Sequence, residues 1–237
     1  VHRVGVVVGD DLGAEQLDLA KCEVIVFRRE LNMKDGYLKR SFRAKTAKGI
    51  EVEVDTTRFC SIVDDETGAI RYTITPFNYS GPITISPFVD GDVANKDSNY
   101  DEKFWDEVTR ESWNNGGYIQ LRTKKTGFEV ATGQRFTVSQ NNLPVEVAAK
   151  KIEKDKYVAS AITLEVVAGQ PVSVIKYAAN ISSQNYPAAA LAEVLKTTLK
   201  VISEKGFEKM LAEQAAAWGK KWQHNDIIIE GDASAQQ

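Results

Sequence analysis

Apolar and polar residues alternate with a period of two over most of the first 180 or so positions. In segment 50–54, Ile50, Val52 and Val54 fall on one side and Glu51 and Glu53 on the other, the signature of a half-buried strand. Segment 69–75 repeats the pattern, with Ile70, Tyr72 and Ile74 opposite Arg71, Thr73 and Thr75, and Pro76 ends it. Segment 23–29 alternates around Val24, Val26 and Arg28, and Gly81-Pro82 turns the chain into 83–85. Further strands are predicted at 118–124, 128–138, 145–151, 157–167 and 171–179. Turn residues separate them: Lys125-Thr126-Gly127, Asn141-Asn142, Lys154-Asp155-Lys156 and Gly169-Gln170. So many short strands at regular spacing predict a mainly β sandwich.

Two stretches depart from this rhythm. Residues 90–117 are polar and turn-rich and read as a long loop, with a short turn of helix at 101–110 and a close at Asn114–Gly117. A connection of that length in a compact domain is usually functional or disordered, and Phe104, Trp105 and Trp113 argue against plain disorder. From Pro187 the period becomes 3.6. Leu191, Val194, Leu195, Thr198, Leu199 and Ile202 share one helical face, and Lys205-Gly206 marks a stop. A second helix follows, with Phe207, Met210, Leu211, Ala215, Trp218 and Trp222 in one stripe, and it runs into a β-like Ile227-Ile228-Ile229. The stripe is expected to pack on the sandwich or on the first helix. The tail with its two indoles, however, is expected to be poorly buried in this chain and to dock elsewhere.

Composition narrows the function classes. The 237 residues carry 43% hydrophobic residues and a net charge of −3, with both signs interspersed. There is no basic stripe, so neither nucleic acid nor an anionic membrane is an expected partner. The longest apolar runs are far too short to span a bilayer. Cys22 and Cys60 make no disulfide framework, and each is expected as a buried free thiol in a reducing, cytoplasmic setting. A secreted or periplasmic location stays open: no signal peptide is visible, and both chain ends read as cuts. In that case the triplets Asn78-Tyr79-Ser80 and Asn180-Ile181-Ser182 would matter.

Candidate chemistry is sparse. His2 and His224 are the only histidines, so neither a metal site nor a Ser-His-Asp triad is expected. No Gly-rich phosphate loop precedes a helix. Asp64-Asp65-Glu66 reads as a solvated hairpin turn, and Asp90-Gly91-Asp92 as a turn element rather than a calcium or catalytic site. No catalytic residue, cofactor or metal is assigned. Phe104 and Trp105 are the candidate substrate-binding residues, because exposed aromatic faces stack on sugar rings. The competing reading is that they staple the loop to the sandwich.

The run from Phe27 to Phe42, with Gly36, Leu38, Arg40 and Ser41, resembles the entry strand and turn of the N-terminal domain of glycoside hydrolase family 65. Arg58-Phe59, Ser61, Ala69–Tyr72 and Thr75–Gly81 resemble its central hairpin. Asp90-Gly91-Asp92-Val93 with Asn95 resembles the start of a loop there. Trp222 followed by Asp226-Ile227, Ile229 and Gly231-Asp232 resembles its linker. The order and spacing of these pieces cover nearly the whole chain.

That resemblance implies a large two-sheet antiparallel supersandwich, similar to galactose mutarotase, followed by a C-terminal α-helical linker. The division falls at residues 1–183 (sandwich, its front expected to lack strands) and 184–237 (linker toward an absent (α/α)6 catalytic barrel). The implied parent performs inverting phosphorolysis of an α-linked glucose disaccharide, with inorganic phosphate as co-substrate and nucleophile and a Glu of the barrel as acid. Maltose, trehalose, kojibiose and nigerose phosphorylases belong to the family, and some relatives hydrolyse trehalose. The implied role of this chain is non-catalytic: packing against the barrel, homodimerisation, and a loop approaching the active site. Two rival functions stand beside this one. A mutarotase-like epimerase needs a His–Glu pair in the sheet concavity, where no His exists. An independent carbohydrate-binding module needs an aromatic platform on a sheet face.

Overall fold

A computed structural model describes residues 2–9, 15–94, 102–227, 229–231 and 234. The described strands are β1 (His2–Val8), β2 (Glu15–Gln16), β3 (Glu23–Asn32), β4 (Tyr37–Lys45), β5 (Glu51–Cys60), β6 (Thr67–Pro76), β7 (Gly81–Asp90) and β8 (Trp105–Trp113). They continue with β9 (Gly116–Thr123), β10 (Glu129–Gln140), β11 (Leu143–Val145), β12 (Lys150–Lys154), β13 (Tyr157–Val166) and β14 (Val172–Ser182). A 3-10 turn at Ala188–Ala190 leads into α1 (Leu191–Lys205) and α2 (Phe207–Asn225).

The strands form two antiparallel sheets. One has the order β12-β13-β7-β1-β2 and the other β3-β4-β5-β6-β14-β10-β9-β8, with β11 paired to β10. The chain crosses between sheets repeatedly, so each crossing interrupts a sequence pattern. Residues 145–151, read above as one strand, are such a crossing: β11 belongs to the larger sheet and β12 to the smaller, with irregular chain between them. Asn141 and Asn142 have φ of 51° and 63° and close the β10–β11 hairpin, where Gln140 faces Leu143. That is the two-residue turn whose left-handed backbone asparagine tolerates.

The main core lies between the sheets. Phe42, Val52, Val54, Ile74 and Val174 of the larger sheet meet Val6, Val8, Ile83, Ile85 and Ile162 of the smaller. A smaller cluster of Val89, Ile119, Leu121 and Val158 fills one end. On the outer face of the larger sheet, Phe59, Ala69, Tyr118, Ala131 and Tyr177 are covered by Leu191, Leu195, Leu199 and Ile202 of α1 and by Phe207 and Met210 of α2. The four α1 side chains are fully buried, each contributing about 1.5–3 kcal/mol. The helical stripes therefore bury mainly on this domain's own sheet. Gly206, at φ 83°, lets the chain leave α1 and start α2 without strain.

Three expectations need correction. The 90–117 stretch is not one long loop, because β8 and β9 occupy most of its second half as a hairpin turning at Asn114-Asn115. The helix expected at 101–110 is strand from Trp105 onward. A bulge between Glu107 and Thr109 breaks the alternation that would have revealed it. Cys60 is exposed and Cys22 only half-buried, so neither is a fully buried thiol.

Candidate functional site

Gly91 follows β7 in a tight corner, where a Cβ would stand 2.6 Å from Ile119 Cδ1 and 2.7 Å from Leu121 Cδ1. The backbone of Asp92 donates to Asp90 Oδ1 at 3.0 Å, so this acidic pair does form a turn. Asp92 also accepts from Lys103 Nζ at 2.6 Å, and that hydrogen bond holds its carboxyl below the usual range. The ion pair ties together the two ends of segment 92–103. Asn95 and the rest of 95–101 lie outside the described residues. Phe104 is half-buried, and its carbonyl accepts from the Lys124 backbone at 2.9 Å. Trp105 opens β8 with its indole half-buried against Val89, Ile119, Leu121 and Val158. The two aromatic candidates are thus adjacent, at the end of the sandwich where the chain crosses between sheets. Among the described residues, no cluster of three His, Cys, Asp or Glu side chains is placed to hold a metal ion.

The second feature is the seat of α2. Gln214 is fully buried and makes three bonds: it accepts from the Ile62 backbone at 2.9 Å and donates to Gly36 and Cys60 carbonyls at 3.0 Å each. Trp222 Nε1 donates to the carbonyls of Met33 and Lys34 at 3.1 Å. Trp218 stacks on Trp222 with ring centroids 5.9 Å apart, and its Nε1 is buried without a partner. Both indoles are half-buried on the β3–β4 turn, so in this chain the tail already has a seat. Lys205 reaches Asp64 at 2.8 Å and Glu213 at 3.0 Å, and both bonds hold its amine above the usual value. Glu66 accepts from Asn185 and the Tyr186 hydroxyl, each at 3.0 Å. The Asp64–Glu66 turn is therefore a clasp for the helices rather than a merely solvated corner. Ile227 and Ile229 are not in a strand, while Ile228 and residues 232–233 lie outside the described set.

Two features escaped the reading of the sequence. The edge strand β3 exposes a row of large apolar side chains, with Phe27 at 48% and Leu31 at 64%. On the inner face of β3–β5, Arg29, Arg40 and Arg58 line a cleft together with Arg3 of β1. The signal for these arginines is their alternate position with core residues, Arg40 with Phe42 and Arg58 with Val54. Exposed aromatic side chains include Phe27 and Phe77, which sit apart, and Phe77 is capped by Arg43 at 3.8 Å. They form no sugar-stacking platform.

Comparison with known proteins places this architecture. The family described as "Glycosyl hydrolase family 65, N-terminal domain" matches residues 7–221. The maltose phosphorylase of Bacillus subtilis (strain 168) is 29% identical over 97% of this chain and 30% of its own length. The kojibiose phosphorylase of Caldanaerobacter subterraneus subsp. tengcongensis is 28% identical over 93% of this chain, again 30% of its own. The α,α-trehalose phosphorylase of Thermoanaerobacter brockii is 25% identical over 94% of this chain. The solved structure "Putative kojibiose phosphorylase from human microbiome" superposes with a TM-score of 0.84 at 20% identity, over 99% of this chain and 29% of that one. That likeness extends to the fold of the two sheets and following helices. The chain thus spans about 30% of the length of the curated relatives it matches.

Proposed function

The chain belongs to the N-terminal domain family of glycosyl hydrolase family 65, and on that premise we propose that it is the non-catalytic accessory domain of a disaccharide phosphorylase. The observation that carries this reading is the alignment of nearly the whole chain with about 30% of several α-glucoside phosphorylases. In the parent enzyme, inorganic phosphate would displace the acceptor sugar of an α-linked glucose disaccharide with inversion, giving β-glucose 1-phosphate. The general acid and the phosphate site would lie in an (α/α)6 barrel belonging to the same polypeptide. The parent needs no organic cofactor for this chemistry and would work in the cytoplasm. No helix among the described residues is long and apolar enough to cross a membrane.

The domain's own contribution is docking. The β3 edge, with Val24, Val26, Phe27 and Leu31 exposed, supports packing against another surface, since unpaired edges with apolar side chains invite a partner. We assign this edge to homodimerisation or barrel packing. Phe104, half-buried and next to Lys103 of the Asp92–Lys103 ion pair, is our candidate for contact with the acceptor sugar. Trp105 is committed to the Val89 cluster.

The test is direct. The 237-residue chain and the longer parent polypeptide are each incubated with phosphate and maltose, trehalose, kojibiose or nigerose. The parent should release β-glucose 1-phosphate from one of them, and the chain alone from none. Turnover by the purified chain would end the accessory-domain reading. A parent that hydrolyses trehalose without phosphate would replace phosphorolysis by hydrolysis.

A further inference from the structure

The cleft between the sheets points to a ligand that none of the docking roles above requires. On β4 and β5, Arg40 and Arg58 share the strand face that carries Phe42 and Val54 in the core, but they line an open cleft, to which the five-stranded sheet contributes Arg3 and Val4 of β1. Arg29 stands directly opposite Arg40 in the β3–β4 register, and Arg40 pairs with Thr56, which puts Arg58 on the diagonal. Like charges at directly opposed positions destabilise a sheet. Here three guanidiniums occupy neighbouring positions, and Arg3 joins them from β1. Among the described residues, none of the four pairs with a carboxylate, and no acidic side chain lines the cleft. The Nε of Arg40 is buried with no hydrogen-bond partner. A buried guanidinium nitrogen without an acceptor is costly, so an arrangement of this kind favours an anion that supplies one.

The shape narrows the anion. The cleft holds about 310 Å³, well beyond a bare oxyanion. It continues into an apolar pocket of about 320 Å³ that shares Leu38, Arg58 and Ile70. Guanidinium forks match phosphate oxygens in pairs, and a dianion suits several of them better than a single carboxylate. Burial raises the Tyr72 hydroxyl to about 12 although Arg40 pulls it down, so it stays a donor at the cleft wall. We propose that this cleft binds a phosphomonoester, its dianion among Arg3, Arg29, Arg40 and Arg58 and its organic body against Leu38 and Ile70. The proposal does not depend on the accessory-domain reading.

Calorimetric titration of the 237-residue chain with phenyl phosphate, inorganic phosphate and phenol tests each part. Phenyl phosphate should bind most tightly, inorganic phosphate more weakly and phenol not at all. Binding should weaken as salt rises. Arg40→Met and Arg58→Met should each weaken phenyl phosphate by about tenfold, the loss of one charge-assisted bond. Without ligand, Arg40→Met should melt no lower than wild type, because it relieves the opposed pair. If that variant fails to fold, the exposed Arg58→Met still decides. Equal binding of phosphate and phenyl phosphate would refute the organic subsite. Phenol binding as well as phenyl phosphate, no binding of either phosphate, or an unchanged affinity in both variants would overturn the proposal.

Discussion

Alanine at Gly36 should unseat the C-terminal helix, and the packing around Gly36 sets the size of the effect. Gly36 closes the β3–β4 turn at φ 72°, a left-handed conformation that costs an alanine about 1–2 kcal/mol. A Cβ there would lie 2.0 Å from Trp218 Nε1, 2.2 Å from Trp218 Cδ1 and 2.8 Å from Gln214 Nε2. The indole must therefore swing away, giving up a half-buried contact of about 1–1.5 kcal/mol. Gln214 must shift as well, which endangers its bond to the Gly36 carbonyl, about 1 kcal/mol more. Gly36→Ala should thus cost about 3–4.5 kcal/mol. Trp218→Ala alone should cost about 1–1.5 kcal/mol, and in its background Gly36→Ala should cost only about 2–3. Urea unfolding of the four proteins, followed by circular dichroism so that the missing indole does not bias the signal, gives the coupling. A coupling of about 1 kcal/mol is expected, against the roughly 0.3–0.5 kcal/mol error of additivity. Additive effects would mean that the Trp218 ring does not rest on Gly36.

Four further outcomes follow from the surroundings of single side chains. Lys176 is 0% exposed and donates to the carbonyls of Arg3 and Phe88, and burial pulls its amine well below the usual 10.5. The unfolded chain then binds the extra proton. Stability should rise with pH from the depressed native value toward 10.5, and Lys176→Met should abolish that slope in urea titrations. Trp105→Ala should cost about 1.5–3 kcal/mol through the Val89 cluster. In the parent enzyme, Phe104→Ala should instead raise the Michaelis constant for the acceptor sugar with melting temperature nearly unchanged; the reverse assignment of these two effects would show that Phe104 is the staple. Exposed Cys60 should react with a thiol reagent in the folded protein faster than Cys22, whose thiol burial pushes up, and equal rates in native buffer would contradict the placement.

The sandwich and both helices were legible because their signals are local. Val52 and Val54, or Tyr72 and Ile74, are buried where a period of two says they should be. Leu191, Leu195, Leu199 and Ile202 mark their helix face, and glycine marks its end. Edges were less legible. β8 has one neighbour and a bulge, so its polar residues lost their alternation and read as loop. β3 carries apolar residues on both faces because it too is an edge, exposed along its length. A strand's inward pattern is apolar only as far as the opposite sheet reaches, and no local rule reports where that sheet stops.

The same geometry explains Cys60, Arg40 and Arg58 together. Each occupies an inward position on a strand whose other end is core, and each lines an open cleft or pocket, with Arg3 and Val4 of β1 beside the arginines. From sequence, an inward cysteine reads as a buried thiol and an inward arginine as an exposed surface charge. In the folded chain they are neighbours on one open concave face, where the cysteine is reachable and the Nε of Arg40 is sealed without an acceptor. The register also places Ile70 beside both Arg58 and Lys176, so the buried amine shares a row with the cleft. Folding has therefore gathered positive charge where two sheets begin to part, at a cost the sandwich could have avoided with leucines. Four arginines gathered in one cleft with no compensating carboxylate among the described residues, one of them with a buried and unpartnered Nε, are the physical reason to look there for a ligand.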